Sequence, residues 1–379
     1  MATILLTGAT GTVGQALVPS LKKRGHRLIC LIRGTNPEQR IRAELGEHIT
    51  DDDYCWSGDV TEQLCGVDLA CIRSWRGKVD HLVHLAGSIK FDERLADDTQ
   101  RMNVEGLRHV LALADELGSP QFHHMSTAYV AGNRHIFTED DVDCGQCNFN
   151  AYERSKLEAE KIVKAWSGRK RIYRMSIMVG DSKTGKVSAF NGYYGFFTSF
   201  WRLLCDLRVK WQQDAERLQE QGITFTSEGQ LFLPLVVRCS VESRLNLIPA
   251  DWLADSMADL ISLEPSHLVY HLVHPSPPRV QWVIEQSLKH MGITGLTYGK
   301  SGSDPVDRGL LRHLQRGLDK GLEQFLPYVT HGTSFSIDHV LGALGDRYVP
   351  PMPVDDSFLA TMLDYAMSVN FGRSVPTPA

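Results

Sequence analysis

The chain has 379 residues, 42% of them hydrophobic and 22% charged, with a formal net charge of −5. That is enough chain for one large or two moderate domains with an ample core. The charges are spread without a basic tail or an acidic block, which excludes a nucleic-acid binder and a polybasic membrane-surface protein. Of the eight cysteines, only Cys144 and Cys147 form a CxxC pair. No second pair of ligands stands at zinc spacing, and Asp143 to Cys147 reads as loop rather than as a helix start, so ordinary reduced thiols are expected. A first strand within a few residues of Met1 predicts no secretory signal. No apolar run reaches the roughly 18 residues of a membrane helix. The expected setting is cytoplasmic.

In chain order, Ile4-Leu5-Leu6 reads as a strand and leads into a glycine-rich turn. A helix follows with Val13, Leu17 and Leu21 on one stripe, interrupted by Pro19 and closed by Gly25. Leu28 to Ile32 is a second strand; after a helical interval comes another, His81 to Leu85. Val104 to Leu117 reads as a helix, Phe122 to Met125 as a strand and Tyr152 to Trp166 as a helix, and a further strand begins at Ile172-Tyr173. Near-continuous apolar strands alternating with helices predict an α/β, doubly wound Rossmann parallel sheet. The rhythm breaks after Gly180 and returns at Asn246 to Leu263 and at Tyr270 to Val273. The expected division is a Rossmann domain over residues 1–182 and 244–274, binding NADP, and a smaller, mostly helical substrate domain over 183–243 and 275–379.

Thr7-Gly8-Ala9-Thr10-Gly11-Thr12-Val13-Gly14 joins the first strand to the first helix. Glycines there allow a tight turn and close backbone approach, so a pyrophosphate can rest on the positive helix end. A fold of this kind that binds NAD carries an acid at the end of the second strand. Here Arg33 stands in that place. A guanidinium binds a 2′-phosphate that a carboxylate would repel. Arg40, or alternatively Arg42, closes over the same phosphate, and NADP(H) is the expected cofactor.

Tyr152 and Lys156 stand four residues apart on one helix face. A phenol near pKa 10 is too weak an acid at neutral pH, and an adjacent cation should bring it down. The pair follows a strand ending in Ser126-Thr127. A Tyr–Lys pair beside a hydroxyl suits protonation of a carbonyl oxygen as hydride arrives.

These motifs resemble the extended short-chain dehydrogenases/reductases. In that family a Ser or Thr orients the substrate oxygen beside the tyrosine, and Thr127 takes this place, with Ser126 a close rival. The resemblance assigns Asp59 and Val60 to an adenine-contacting turn and Leu85-Ala86-Gly87 to the nicotinamide side. It makes Asn103 a supporting residue, and Lys156 also bonds the nicotinamide ribose. The segments 88–93 and 126–132 resemble the fatty acyl-CoA reductase and thioester reductase branch. Arg174 to Asp181, containing Met175-Ser176-Ile177, resembles that branch's strand end, with Met175 where the branch has proline. Asn246 to Asp251 resembles its return to the Rossmann core.

The branch implies NADPH-driven reduction of an acyl thioester, on coenzyme A or a carrier protein, to an aldehyde; apart from the resemblance, no transmembrane segment is expected and a homodimer is left open. The same residues would serve a ketone or aldehyde reductase or a secondary-alcohol dehydrogenase. A sugar-nucleotide epimerase and a non-catalytic NADP sensor rank lower: the first usually holds NAD, and the second loses the Tyr–Lys pair. The aromatics Phe190, Tyr193, Tyr194, Phe196, Phe197, Phe200 and Trp201 suit the core of the smaller domain better than an acyl groove or a contact surface. His81, His84, His123 and His124 lie on strands whose alternate residues face opposite ways, so no metal is expected.

Overall fold

A computed structural model of the chain describes residues 1–264, 266–299 and 309–373. The apolar runs form a seven-stranded sheet from β1 (Thr3–Thr7), β2 (Arg27–Ile32), β3 (Tyr54–Ser57), β4 (His81–His84), β5 (Gln121–Thr127), β6 (Lys170–Met175) and β7 (Val269–Leu272). Their spatial order is β7-β6-β5-β4-β1-β2-β3, and every neighbouring pair is parallel. This is the expected Rossmann order. The winding reverses between β1 and β4, the crevice where such sheets bind ligands.

Flanking helices explain why the strands are apolar along their length. They are α1 (Thr12–Lys23), α2 (Pro37–Leu45), α3 (Leu69–Trp75), α4 (Gly106–Glu116), α5 (Ala151–Ala165) and α6 (Ala250–Ile261). Leu107, Val110 and Leu111 of α4 and Ala159 and Val163 of α5 bury against Leu5, Leu82, Phe122 and Ile172 of the sheet. Helix α1 runs through Pro19 and is tied to α6 by Ser20 to Asp255 (2.7 Å) and Arg24 to Asp259 (2.6 Å). The sequence reading passed over β3. That strand has four residues, of which only Trp56 is buried, so it carries no apolar run to detect.

The chain divides into two units. The first is Met1–Ser176, Ala250–Pro275 and Ser334–Pro351, and it holds the whole sheet. It includes 334–351, placed with the C-terminal region by sequence, because Ser334–Phe335 pairs with Ile136–Phe137. The second comprises the described residues of Ile177–Pro249, Ser276–Thr333 and Met352–Ala379. Ile177–Val179 falls in it by pairing with Leu247–Pro249.

In the second unit a helix runs over Tyr193–Gln213, within the stretch where the strand–helix rhythm breaks. Its Tyr193, Tyr194, Phe196, Phe197, Phe200 and Trp201 are buried, packed among themselves and on Phe325 and Phe371. Trp201 Nε1 donates to Asn370 Oδ1 at 2.7 Å. These aromatics make the core of their own unit. Among the described residues no helix is long and apolar enough to cross a membrane.

Candidate active site

The phosphate turn is held by its own backbone. Gly11 N–H donates to the Gly8 carbonyl at 3.0 Å, and Gln15 N–H to that of Gly11 at 2.8 Å. Gly8 has φ +76°, and a Cβ there would lie 2.7 Å from the Ala86 nitrogen. A Cβ at Gly14 would lie 2.3 Å from the Gly8 carbonyl oxygen and 2.4 Å from that of Ala9. Only glycine therefore lets β1, the turn and the end of β4 come together. Thr7 Oγ1 completes the join, bonding His84 Nδ1 at 2.8 Å and accepting from Ala86 N–H at 3.3 Å. No side chain caps the start of α1 at Gly11, and its first turn, Thr12 and Val13 included, has no acid. The backbone donors there suit an anion. Replacing Gly14 by alanine should cost about 1–3 kcal/mol of stability by overpacking and weaken dinucleotide binding. Wild-type melting temperature together with wild-type affinity would sink this account.

Arg33 follows β2 with its side chain 62% exposed, and its Nη1 lies 3.8 Å from Asp59 Oδ2. Arg40 reaches back from α2, donating to the Arg33 carbonyl at 3.2 Å. Asp59 Oδ1 accepts from the N–H and hydroxyl of Thr61, both at 2.9 Å. Val60 is buried against the start of α4, where a Cβ on Gly106 would lie 3.3 Å from its carbonyl oxygen. The structure thus gathers Arg33, Arg40 and Asp59 at the β2–β3 end of the crevice.

Helix α5 starts with reciprocal caps: Asn150 Oδ1 accepts from Glu153 N–H at 3.0 Å, while Glu153 Oε2 accepts from Phe149 N–H at 2.8 Å. This fixes the first turn, which carries Tyr152. The Thr127 hydroxyl lies close enough to the Tyr152 phenol to favour its ionised form. Thr127 Oγ1 also reaches the Met175 carbonyl at 3.5 Å, which brings the ends of β5 and β6 to the tyrosine. Ser126 points elsewhere: its hydroxyl donates to buried Glu160 at 2.5 Å.

Lys156 is buried and donates to the Met125 carbonyl at 2.8 Å. Burial pushes its ammonium down to about 8, against the upward pull of Glu160. The sequence reading expected this cation to lower the phenol. Instead burial holds the Tyr152 phenol above its ordinary range, and the Thr127 hydroxyl draws it part of the way back. The ammonium is bonded to a carbonyl rather than to the phenol. Gly87 leaves the space beside it, since a Cβ there would lie 3.5 Å from Lys156 Nζ and 3.0 Å from Asn103 Oδ1.

Asn103 lies in a π-helical turn, Arg101–Glu105, just before α4. Its amide accepts from Ser88 N–H (2.7 Å) and donates to the Ser88 carbonyl (2.9 Å) and to Ser155 Oγ (2.8 Å). Ser155 in turn donates to the Tyr152 carbonyl at 2.7 Å. Asn103 so braces the chain after β4 against α5. Phe91 packs on the Tyr152 ring, centroids 5.8 Å apart. Ser176, after β6, is buried, and its hydroxyl has no partner among the described residues. Leu85, Ala86, Met175 and Ser176 belong to the first unit, Ile177 to the second.

His81, His84 and His123 are hydrogen-bonded, whereas both ring nitrogens of buried His124 have no partner among the described residues. His81 Nδ1 meets His123 Nε2 at 3.1 Å, and His123 Nδ1 meets the Tyr173 hydroxyl at 2.8 Å. Burial pushes all four imidazoles down, so they stay neutral at pH 7. Among the described residues no group of three His, Cys, Asp or Glu could hold a metal ion. All eight cysteines are free, with Cys144 and Cys147 on an exposed loop.

A parallel sheet wound in this order with a glycine turn at its switch point is the NAD(P)-binding architecture of the extended short-chain dehydrogenases/reductases. Residues 6–257 match the NAD-binding family described as "Male sterility protein", and the chain belongs to that family. It is 29% identical to mouse (Mus musculus) fatty acyl-CoA reductase 1 over 149 residues, covering 35% of this chain and 29% of that protein. It is 26% identical to the 3-beta-hydroxysteroid dehydrogenase of Mycolicibacterium neoaurum over 179 residues, 46% of each chain. The chain spans less than half the length of these curated relatives. The terminal R domain from the myxalamid PKS-NRPS biosynthetic pathway shares the fold with a TM-score of 0.76 at 22% identity, covering 100% of this chain and 93% of that one.

Proposed function

We propose that the chain is an NADPH-dependent reductase of acyl thioesters, carried on coenzyme A or on a carrier protein, releasing an aldehyde. The carrying observation is the Thr127 hydroxyl beside the Tyr152 phenol, one helical turn from buried Lys156, in a chain that is similar to a fatty acyl-CoA reductase.

The residues fit a dinucleotide. The crowding at Gly8 and Gly14 leaves room only for backbone around the turn, and α1 offers uncapped donors to a pyrophosphate. Arg33 and Arg40 suit a 2′-phosphate, Asp59 and Val60 the adenine side, and Leu85, Ala86, Gly87, Asn103, Lys156, Met175 and Ser176 the nicotinamide side. The unpartnered Ser176 hydroxyl is a further donor for that end. Bound there, NADPH supplies the hydride.

The protein's part is proton control and orientation. Thr127 holds the substrate oxygen beside Tyr152, and Tyr152 gives that oxygen its proton, so the thioester carbon becomes a hemithioacetal. Collapse breaks the carbon–sulfur bond and passes the hydroxyl proton to the departing sulfur, leaving aldehyde and free thiol. Lys156 must be charged to stabilise the phenolate left behind. With its ammonium titrating near 8, kcat/KM should fall about tenfold per pH unit above that value. A profile flat to pH 10 would remove Lys156 from this role.

The hydroxysteroid dehydrogenase match favours a second reading, reduction of a ketone by the same groups. NADPH consumption with a medium-to-long acyl-CoA, with free thiol followed in parallel, decides between them. Thiol release coupled to NADPH loss and absent in Tyr152→Phe supports the thioester reaction. Turnover with ketones or aldehydes alone supports the second.

A further inference from the structure

Where a Rossmann core is ordinarily apolar, the ends of β5 and β6 are roofed by a buried charged cluster. Glu160 and Arg174 are ion-paired at 2.7 Å with side chains 1% and 0% exposed. Arg174 Nε adds bonds of 3.0 and 3.2 Å to the two carboxylate oxygens. Ser126 donates to the same carboxylate at 2.5 Å. Arg174 spends its other donors on the Asp141 carbonyl (2.7 Å) and the Thr138 carbonyl (3.3 Å), and meets His271 Nε2 at 3.2 Å.

A buried ion pair is weak evidence for stability, because desolvating two charges costs about what their attraction returns, and apolar replacements are often neutral. Its position suggests another use. Ser126 precedes Thr127, Arg174 precedes Met175, whose carbonyl Thr127 approaches, and Glu160 lies one turn beyond Lys156 on α5. Ser126 and Arg174 are partners in register across β5 and β6.

We propose that Glu160 is a positioning residue, clamped by Ser126 and Arg174, that locks the strand end carrying Thr127 to the helix carrying Tyr152 and Lys156 and keeps Lys156 charged. This rests on the catalytic reading above. The titratable groups facing Lys156 are Glu160 and Tyr152 from its own helix and His84 and His124 from β4 and β5. Both histidines are held neutral by burial, so Glu160 is the anion that acts on the ammonium.

The test is a titration of Lys156 by lysine-selective NMR in the full chain, read without turnover and with Lys156→Gln to assign the signal. In Glu160→Gln/Arg174→Met, which removes both charges together, the Lys156 midpoint should drop by about one pH unit while the fold is kept. An unchanged midpoint would overturn the proposal. If that variant does not fold, Ser126→Ala carries the test, because it cuts the clamp and leaves the ion pair. It should lower kcat about tenfold with KM for NADPH unchanged and with the Lys156 midpoint held near 8. Wild-type kcat in that variant overturns the clamp. Failure of the catalytic reading looks different: the wild-type chain would then lack NADPH-dependent turnover whatever Lys156 does.

Discussion

Replacing Tyr152 by phenylalanine is expected to lower kcat by about 10²–10⁴-fold, the range for one general acid, while NADPH affinity stays within about twofold. The reasoning is local. Phenylalanine keeps the ring that packs on Phe91 and leaves the Asn150–Glu153 caps untouched, so α5 and Lys156 remain in place. What disappears is one O–H, the group beside Thr127. Because burial holds the phenol above its ordinary range, it stays protonated throughout the working pH range. The acidic form is therefore always available, and the rate should be limited at high pH by Lys156 rather than by Tyr152. Stopped-flow hydride transfer and fluorescence titration of NADPH check the two halves separately. A variant with near-normal turnover would mean that another group protonates the oxygen. A variant that loses cofactor binding as well would mean that the tyrosine is structural.

Much of this site was legible because its parts are local. Strands β1, β2, β4 and β5 announce themselves as apolar runs, and α5 by its period. The glycine turn needs only the chain between β1 and α1. What escaped depends on contacts far apart in sequence. Glu160 stands four residues beyond Lys156, a spacing that places it on the same face, but nothing in the chain says that Ser126 and Arg174 meet it. That requires the β5–β6 register. The Tyr–Lys spacing likewise gives proximity but not direction. The Lys156 ammonium turns to the Met125 carbonyl, so the expected lowering of the phenol is not seen. The helix over Tyr193–Gln213 was missed for a different reason. Its apolar residues Tyr193, Phe197, Phe200, Leu204 and Leu207 do recur at helical spacing, but the density of aromatics there drew attention to what they pack on rather than to their period.

Replacing Arg33 by alanine is expected to raise the Kd for NADPH about 10–100-fold and to leave that for NADH within about twofold. One lost charge-assisted bond is worth about 1.5–3 kcal/mol, and the side chain is 62% exposed, so solvent and salt bring the effect toward the lower end. Arg33 has no deep structural task to confuse the result. Its ion-pair distance to Asp59 is long at 3.8 Å, and Asp59 is held independently by Thr61. The Arg33 carbonyl, which receives Arg40, is backbone and survives the substitution. Removing Arg33 also leaves Asp59 without its cation, which further disfavours a 2′-phosphate and sharpens the contrast between the two cofactors. Arg40→Ala should act in the same direction but more weakly, because Arg40 is partly spent on that carbonyl. The discriminating measurement is the ratio of the two dissociation constants at two ionic strengths. If a 2′-phosphate is what Arg33 binds, the Kd for NADPH divided by that for NADH rises in the variant, and the wild-type preference for NADPH weakens with salt. Equal losses for NADPH and NADH would instead place Arg33 among residues that merely shape the crevice, and the choice of cofactor would have to be sought elsewhere along the β2–β3 end.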